Sequence, residues 1–179
     1  MSITRTLVEW CASKMAPPRV IFDRSGSSPY LSRYYVTGRP WMPDGSEPMD
    51  ASGEPRRDAV FPVGVHVYLH HFHRSDEDLA LHNHPWVWSR SLILVGGYIE
   101  ERKEHDQVRR RVVHPWTWNK IDGDDFHRVD LIEDDCWSLF IAGPKHGRSW
   151  GFWNRVTGKF SPWRDFIASI RGPGWEVDR

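Results

Sequence analysis

Between residues 61 and 153 the chain repeats one pattern, short runs of alternating apolar and polar residues broken by polar turn clusters, and this pattern more than any other limits the fold. The runs are "VGVHVYLHHFH", "LALHNHPWVW", "SRSLILVGGYIEE", "VRRRVVHPWTWNKI", "FHRVDLI", "CWSLFIAG" and "SWGFWN", with "RSDED", "IDGDD" and "EDD" among the breaks. A period of two marks half-buried strands. Strands this close together, with no helical run between them, favour antiparallel pairing over a parallel sheet, so the centre is predicted to be an all-β sandwich or barrel.

The flanks read differently. Ile3, Leu7, Trp10, Cys11 and Met15 fall at helical spacing, Thr6 and Glu9 form a possible capping box, and Pro17-Pro18 end the run. This predicts a short amphipathic helix covering a sheet edge or face. Residues 38–58 are crowded with Pro, Gly, Ser and Asp and predict a long surface loop or lid. Near the end Ser161 offers an N-cap, Pro162 suits the first helical position, and Trp163, Phe166, Ile167 and Ile170 make one apolar stripe. A single domain is expected over 1–179: residues 1–60 as helix, edge strands and loop, 61–153 as the core, and 154–179 as C-terminal helix and tail.

Charge and cysteines exclude several classes. The 24 basic and 24 acidic side chains balance, so no global field draws nucleic acid. Cys11 and Cys136 match no metal or redox spacing, which fits two ordinary thiols in a cytoplasmic protein. No segment has the apolar length of a membrane span. Phosphate-loop, dinucleotide, G-x-S-x-G and H-E-x-x-H signatures are absent.

Eleven tryptophans and ten histidines stand out instead. In "LHNHPW" His82 and His84 are two apart, so in an extended strand both imidazoles project from one side and could chelate one divalent ion. A third ligand should come from an adjacent strand, and His127 in "DGDDFHRVDL" is the candidate. His71 and His73 share one face of the preceding strand, while His66 and His70 share the other, so one set faces inward. His73, nearest the H-x-H segment, is an additional candidate ligand.

The spacing resembles the first motif of the cupin superfamily, G-x5-H-x-H-x3,4-E-x6-G. His82 and His84 take the H-x-H places and Gly96 the closing glycine, while Ser89 stands where the glutamate is usual and Asp76 where the opening glycine is. Gly123 and His127 fit part of the second motif, with one extra residue between them, and Leu131 replaces its asparagine. The resemblance covers about residues 61 to 153. It implies a double-stranded β-helix, or jelly roll, with a short helix at each end, and a metal in the conical interior. One divalent transition metal, zinc, iron, manganese or nickel, would be held by His82, His84 and His127, and many such proteins are homodimers. A three-histidine face is similar to the ligand set of the cupin thiol dioxygenases, whose substrate is not carried across.

Other residues are candidates for chemistry or substrate binding. Glu100 and Glu101 close the central strand; one at the cavity rim would act as acid or base, although a solvated turn is the plainer place for both. Trp86 and Trp88 could stack a ligand, and Lys145, His146 and Arg148 lie on a loop suited to clamp an anion. The leading expectation is a metal-binding cupin-like protein acting on a small polar molecule. The alternatives are a metal-free jelly roll resembling sugar-nucleotide epimerases, with Tyr68 or Tyr98 as acid, and a non-catalytic binding protein for a small molecule or nucleotide.

Overall fold

The structure is a computed structural model, and it describes residues 2–23, 25–37, 64–77, 79–145 and 147–171. The expected loop at 38–58 and His146 lie outside the described residues. The chain runs α1 (Ile3–Ser13), β1 (Arg19–Phe22), β2 (Pro29–Tyr35), β3 (His66–Phe72), β4 (Leu81–His82), β5 (Trp88–Val95) and β6 (Tyr98–Glu104). It continues through β7 (Gln107–Val113), β8 (Trp118–Asp122), β9 (His127–Leu131), β10 (Cys136–Ala142), β11 (Gly151–Trp153), β12 (Phe160–Pro162) and α2 (Trp163–Arg171).

Two antiparallel sheets of six strands each form a jelly roll, in the orders β1-β2-β3-β10-β5-β8 and β12-β11-β4-β9-β6-β7. The alternation seen in sequence sorts the side chains. On β5 every second residue is buried, placing Ser89, Ser91 and Ile93 inside. Tyr68, Trp86, Ile121, Phe140 and Ala142 form one interior cluster, and Ile93, Tyr98, Val113, Val129 and Cys136 form another. Serines in place of aliphatics make the inner face of β5 more polar than that of a dry sandwich core.

On the outside of the first sheet, Val8 and Ala12 of α1 pack with Leu69, Val95 and Trp137. Arg5 fastens the helix through a two-pronged bond to Asp135, at 2.7 and 2.9 Å. The helix therefore covers a sheet face, as its amphipathicity predicts, but by a different stripe: Ile3, Leu7 and Trp10 are 88%, 57% and 58% exposed. Helical spacing identifies a stripe without saying which side the sheet takes, and the narrower Val8/Ala12 face permits closer approach. The expected capping box is absent, because Thr6 lies inside the helix and Ser2 is the N-cap. Ser161 and Pro162 likewise do not cap α2; they belong to β12, paired with β11. Tertiary pairing overrides local helix-start chemistry there.

Candidate metal centre

The strand expected over "LALHNHPWVW" shrinks to Leu81–His82. The two-residue β4 lies between β9 and β11, with His82 directly opposite His127 on one side and Phe152 on the other. Asn83 explains why the pairing stops. Its buried side chain accepts from Gly151 N at 2.8 Å and donates to Gly123 O at 3.2 Å, pinning the segment to β11 and to the turn before β9. Beyond this anchor His84 turns back toward the interior.

The structure brings His82, His84 and His127 together. Their ring centroids are 4.8 to 5.2 Å apart, and one candidate ligand atom from each lies within 4.8 Å of the others. His84 Nε2 and His127 Nε2 are only 2.8 Å apart. Two imidazole nitrogens sharing an ion at right angles would sit roughly 2.9 Å apart, given bonds of about 2.0 to 2.1 Å. That pair is already at coordination spacing.

Glu100 supports this geometry from behind. Rather than standing at a rim or in a solvated turn, its carboxylate is fully buried in the middle of β6. Its Oε1 accepts from His127 Nδ1 at 3.0 Å, from Asn119 Nδ2 at 2.8 Å and from Arg102 at 3.0 Å, while Oε2 accepts from Arg111 Nε at 2.6 Å. Burial alone would raise its pKa, but His127, Arg102 and Asn119 outweigh it and hold the carboxylate below its ordinary range. With the His127 proton fixed on Nδ1, the Nε2 lone pair faces His84, the carboxylate–histidine arrangement found behind metal-ligating imidazoles.

The other two imidazoles are also kept ready as ligands. Burial, reinforced by His127 and opposed by Asp76, pushes the His82 pKa down to about 4. His84 is held well below its usual value by burial and by the neighbouring His127, His82, Arg33 and His70. Both are therefore neutral at pH 7 with lone pairs available. Asp76 lies 3.8 Å from His82 Nδ1 and is itself fixed by Tyr30 at 2.5 Å and Val129 N at 2.7 Å.

The remaining candidates separate by face. His73 is not a further ligand for the triad: with His71 it points to the outside of β3, where it bonds Ser32 Oγ at 2.8 Å and His71 stacks on Trp137. His70 and Tyr68 take the inner face. Ser89 is buried inside β5 and donates to Ile121 O at 3.2 Å, so no carboxylate occupies the position of the motif's glutamate. Trp86 is buried, its ring 5.6 Å from His84, whereas Trp88 lies on the alternate face against Gly143 and Arg90. Tyr98 accepts from Asn119 Nδ2 at 2.9 Å, behind Glu100. Lys145 bridges to Trp86 through the backbone, and Arg148 pairs with Asp124 at 3.0 Å; both are exposed. Sequence reasoning missed Asn83, Asn119 and Arg33, since isolated amides and a lone arginine in a strand carry no spacing signal.

No family profile and no curated sequence matches the chain. Among solved structures, vicilin from Corylus avellana (hazelnut) is similar at a TM-score of 0.50 and 10% identity, over 88% of this chain and 43% of that one. The polyketide cyclase RemF from Streptomyces resistomycificus is similar at 0.48 and 13% identity, over 76% and 78% of the two chains. KdgF from Halomonas sp. is similar at 0.43 and 12% identity, over 67% and 85%. This chain spans less than half the length of the hazelnut protein. The two antiparallel sheets and their hazelnut counterpart give the architecture: a cupin-type jelly roll with a short helix near each end.

Proposed function

We propose that this protein is a metal-dependent enzyme that holds one divalent transition metal through His82, His84 and His127 and acts on a small polar molecule in the jelly-roll interior. The observation that carries the reading is the 2.8 Å approach of His84 Nε2 to His127 Nε2, with His127 held from behind by buried Glu100. When bound, a metal with three neutral ligands supplies a Lewis acid with open positions, able to polarise a carbonyl or activate water or dioxygen. The chain's own residues do the rest. Glu100 fixes the His127 tautomer, Asn83 sets the turn that presents His84, and Trp86 and Phe140 form the apolar wall beside it.

The epimerase-type alternative draws less support. Its acid would be a tyrosine, and Tyr98 is engaged by Asn119 on the far side of Glu100, with burial pushing its pKa above the usual tyrosine range. Elemental analysis of protein purified without a histidine tag tests the proposal. Near-stoichiometric transition metal is expected in the wild type, and its loss in His82→Ala with the fold retained. A wild type that stays metal-free after reconstitution with zinc, iron, manganese and nickel would refute it.

A further inference from the structure

A second carboxylate stands behind the triad, at His82. Asp76 Oδ2 lies 3.8 Å from His82 Nδ1, within ion-pair distance though longer than a hydrogen bond. Asp76 is also the residue found where the H-x-H motif usually opens with a glycine. The position that departs from the motif is thus the one that meets a candidate ligand.

Both sheets hold this carboxylate in place. Its Oδ1 accepts from the Tyr30 hydroxyl at 2.5 Å, and Tyr30 belongs to β2 in the first sheet. Its Oδ2 accepts from Val129 N at 2.7 Å, while Asp76 N donates to Val129 O at 2.9 Å. Val129 lies on β9 with His127, the residue that pairs with His82. With both oxygens and the backbone engaged, the carboxylate has little freedom to swing away from His82.

Charge distinguishes Asp76 from Glu100. Glu100 is matched by Arg102 and Arg111. Both donors to the Asp76 side chain are neutral, and the guanidinium of Arg128 bonds the Asp76 backbone carbonyl and pairs with Glu101 instead. Among the described residues the one ion-pair contact of the Asp76 carboxylate is His82. Three neutral imidazoles bring no charge to a divalent ion, so an anion held beside one of them offsets part of it. An imidazole that turns Nδ1 to a carboxylate keeps its proton there and leaves the Nε2 lone pair for a metal. His127 has the same arrangement against Glu100.

We propose that Asp76 is the positioning residue of His82: it fixes the tautomer protonated on Nδ1, so that Nε2 serves as the ligand, and it supplies negative charge that the three imidazoles lack. The inference rests on the metal reading above, and its test keeps the two apart. Asp76→Asn retains the size of the side chain and an oxygen for Val129 N–H while removing the charge. Zn²⁺ affinity in that variant, read by competition against a chelator, should fall roughly 10- to 100-fold. Long-range proton–nitrogen correlation spectra report which ring nitrogen of a histidine is protonated, a readout that a purely structural Asp76 would leave unmoved. The His82 signals are assigned by their absence in His82→Asn. At neutral pH the wild type should carry the His82 proton on Nδ1 with and without Zn²⁺, and metal-free Asp76→Asn should show mixed tautomers. A His82 proton on Nε2 in the metal-free wild type, an unmixed Nδ1 tautomer in Asp76→Asn, or undiminished Zn²⁺ affinity in that variant would overturn the proposal. If the wild type binds no metal, the metal reading fails, and the metal-free spectra alone judge Asp76. If Asp76→Asn does not fold, the wild-type tautomer still decides, joined by Tyr30→Phe, which loosens the carboxylate without removing it. A partial shift towards mixed tautomers is expected there, and no shift would count against the idea.

Discussion

His127 and Glu100 form one unit: the imidazole donates from Nδ1 to a carboxylate fully enclosed between the sheets, and two arginines and an asparagine hold that carboxylate in turn. Glu100→Gln keeps the shape and removes the charge. Loss of the supporting carboxylate should weaken metal affinity roughly 10- to 100-fold, read by competition against a chelator of known affinity. It also leaves Arg102 and Arg111 without their buried anion, a loss on the order of 3 kcal/mol in stability. Wild-type metal affinity in a folded Glu100→Gln protein would show that the carboxylate is structural only.

The β architecture and the pairing of His82 with His127 are legible in the sequence because both depend on period-two spacing, which these residues and the Ser89/Ser91/Ile93 face obey. Spacing carries no information about which side of a strand or helix meets the core. Hence the α1 stripe that spacing identifies is not the one that packs, and His73, although nearest the H-x-H segment in sequence, faces outward. Glu100 looked solvent-facing for another reason: a glutamate in a run of charged residues is usually solvated, and the guanidiniums that make its burial tolerable come from its own strand and from the following one, paired only in three dimensions. His84 sits two residues from His82 because of the motif, but Asn83, not strand geometry, aims it.

The low pKa values of the histidines predict how the metal-free protein responds to acid. His82 falls from 6.5 to about 4, chiefly through burial, and His84 moves the same way. A folded-state pKa below the unfolded one means that the unfolded chain takes up protons first as pH drops. The associated stability is therefore complete above about pH 6.5 and is lost between there and about pH 4. For His82, allowing for its partial exposure, the loss is on the order of 2 kcal/mol. Urea unfolding at pH 7 and pH 5 measures it, and His82→Asn, which does not titrate, should reduce the difference. Identical midpoints at the two pH values would mean that these imidazoles are not buried neutral.

Asn83 provides a test of how the H-x-H turn is held. Truncation to Ala leaves Gly151 N and Gly123 O without their side-chain partner, costing about 1 to 3 kcal/mol. Metal affinity should fall as well, since His84 loses the anchor that aims it, while His82, still paired in β4, does not. Hydrogen exchange should quicken at Gly151 N. Unchanged exchange at that amide would remove Asn83 from the account.

Gly96 combines a left-handed backbone with a close backbone approach. It joins β5 to β6 with φ at +72°, a region that side-chain-bearing residues avoid, and a Cβ there would lie 2.3 Å from the Asp135 carbonyl oxygen and 3.3 Å from Cys136 Cα. Both obstacles are backbone, so neither can swing aside. Gly158 offers the matched control, with φ at +68° and nothing within 4 Å of its would-be Cβ. Gly158→Ala should cost about 1 kcal/mol from the backbone conformation alone, whereas Gly96→Ala adds the clash and should cost about 3 kcal/mol or more. For a chain of this size each kcal/mol lowers Tm by about 2 to 4 °C. Gly96→Ala should also loosen α1, because Asp135 carries the Arg5 bond that fastens the helix to the sheet. Thermal melts of the two variants, with proteolysis of the N-terminal helix as a second readout, decide the matter. Equal losses in both would mean that the contact with Asp135 imposes no constraint beyond the turn itself.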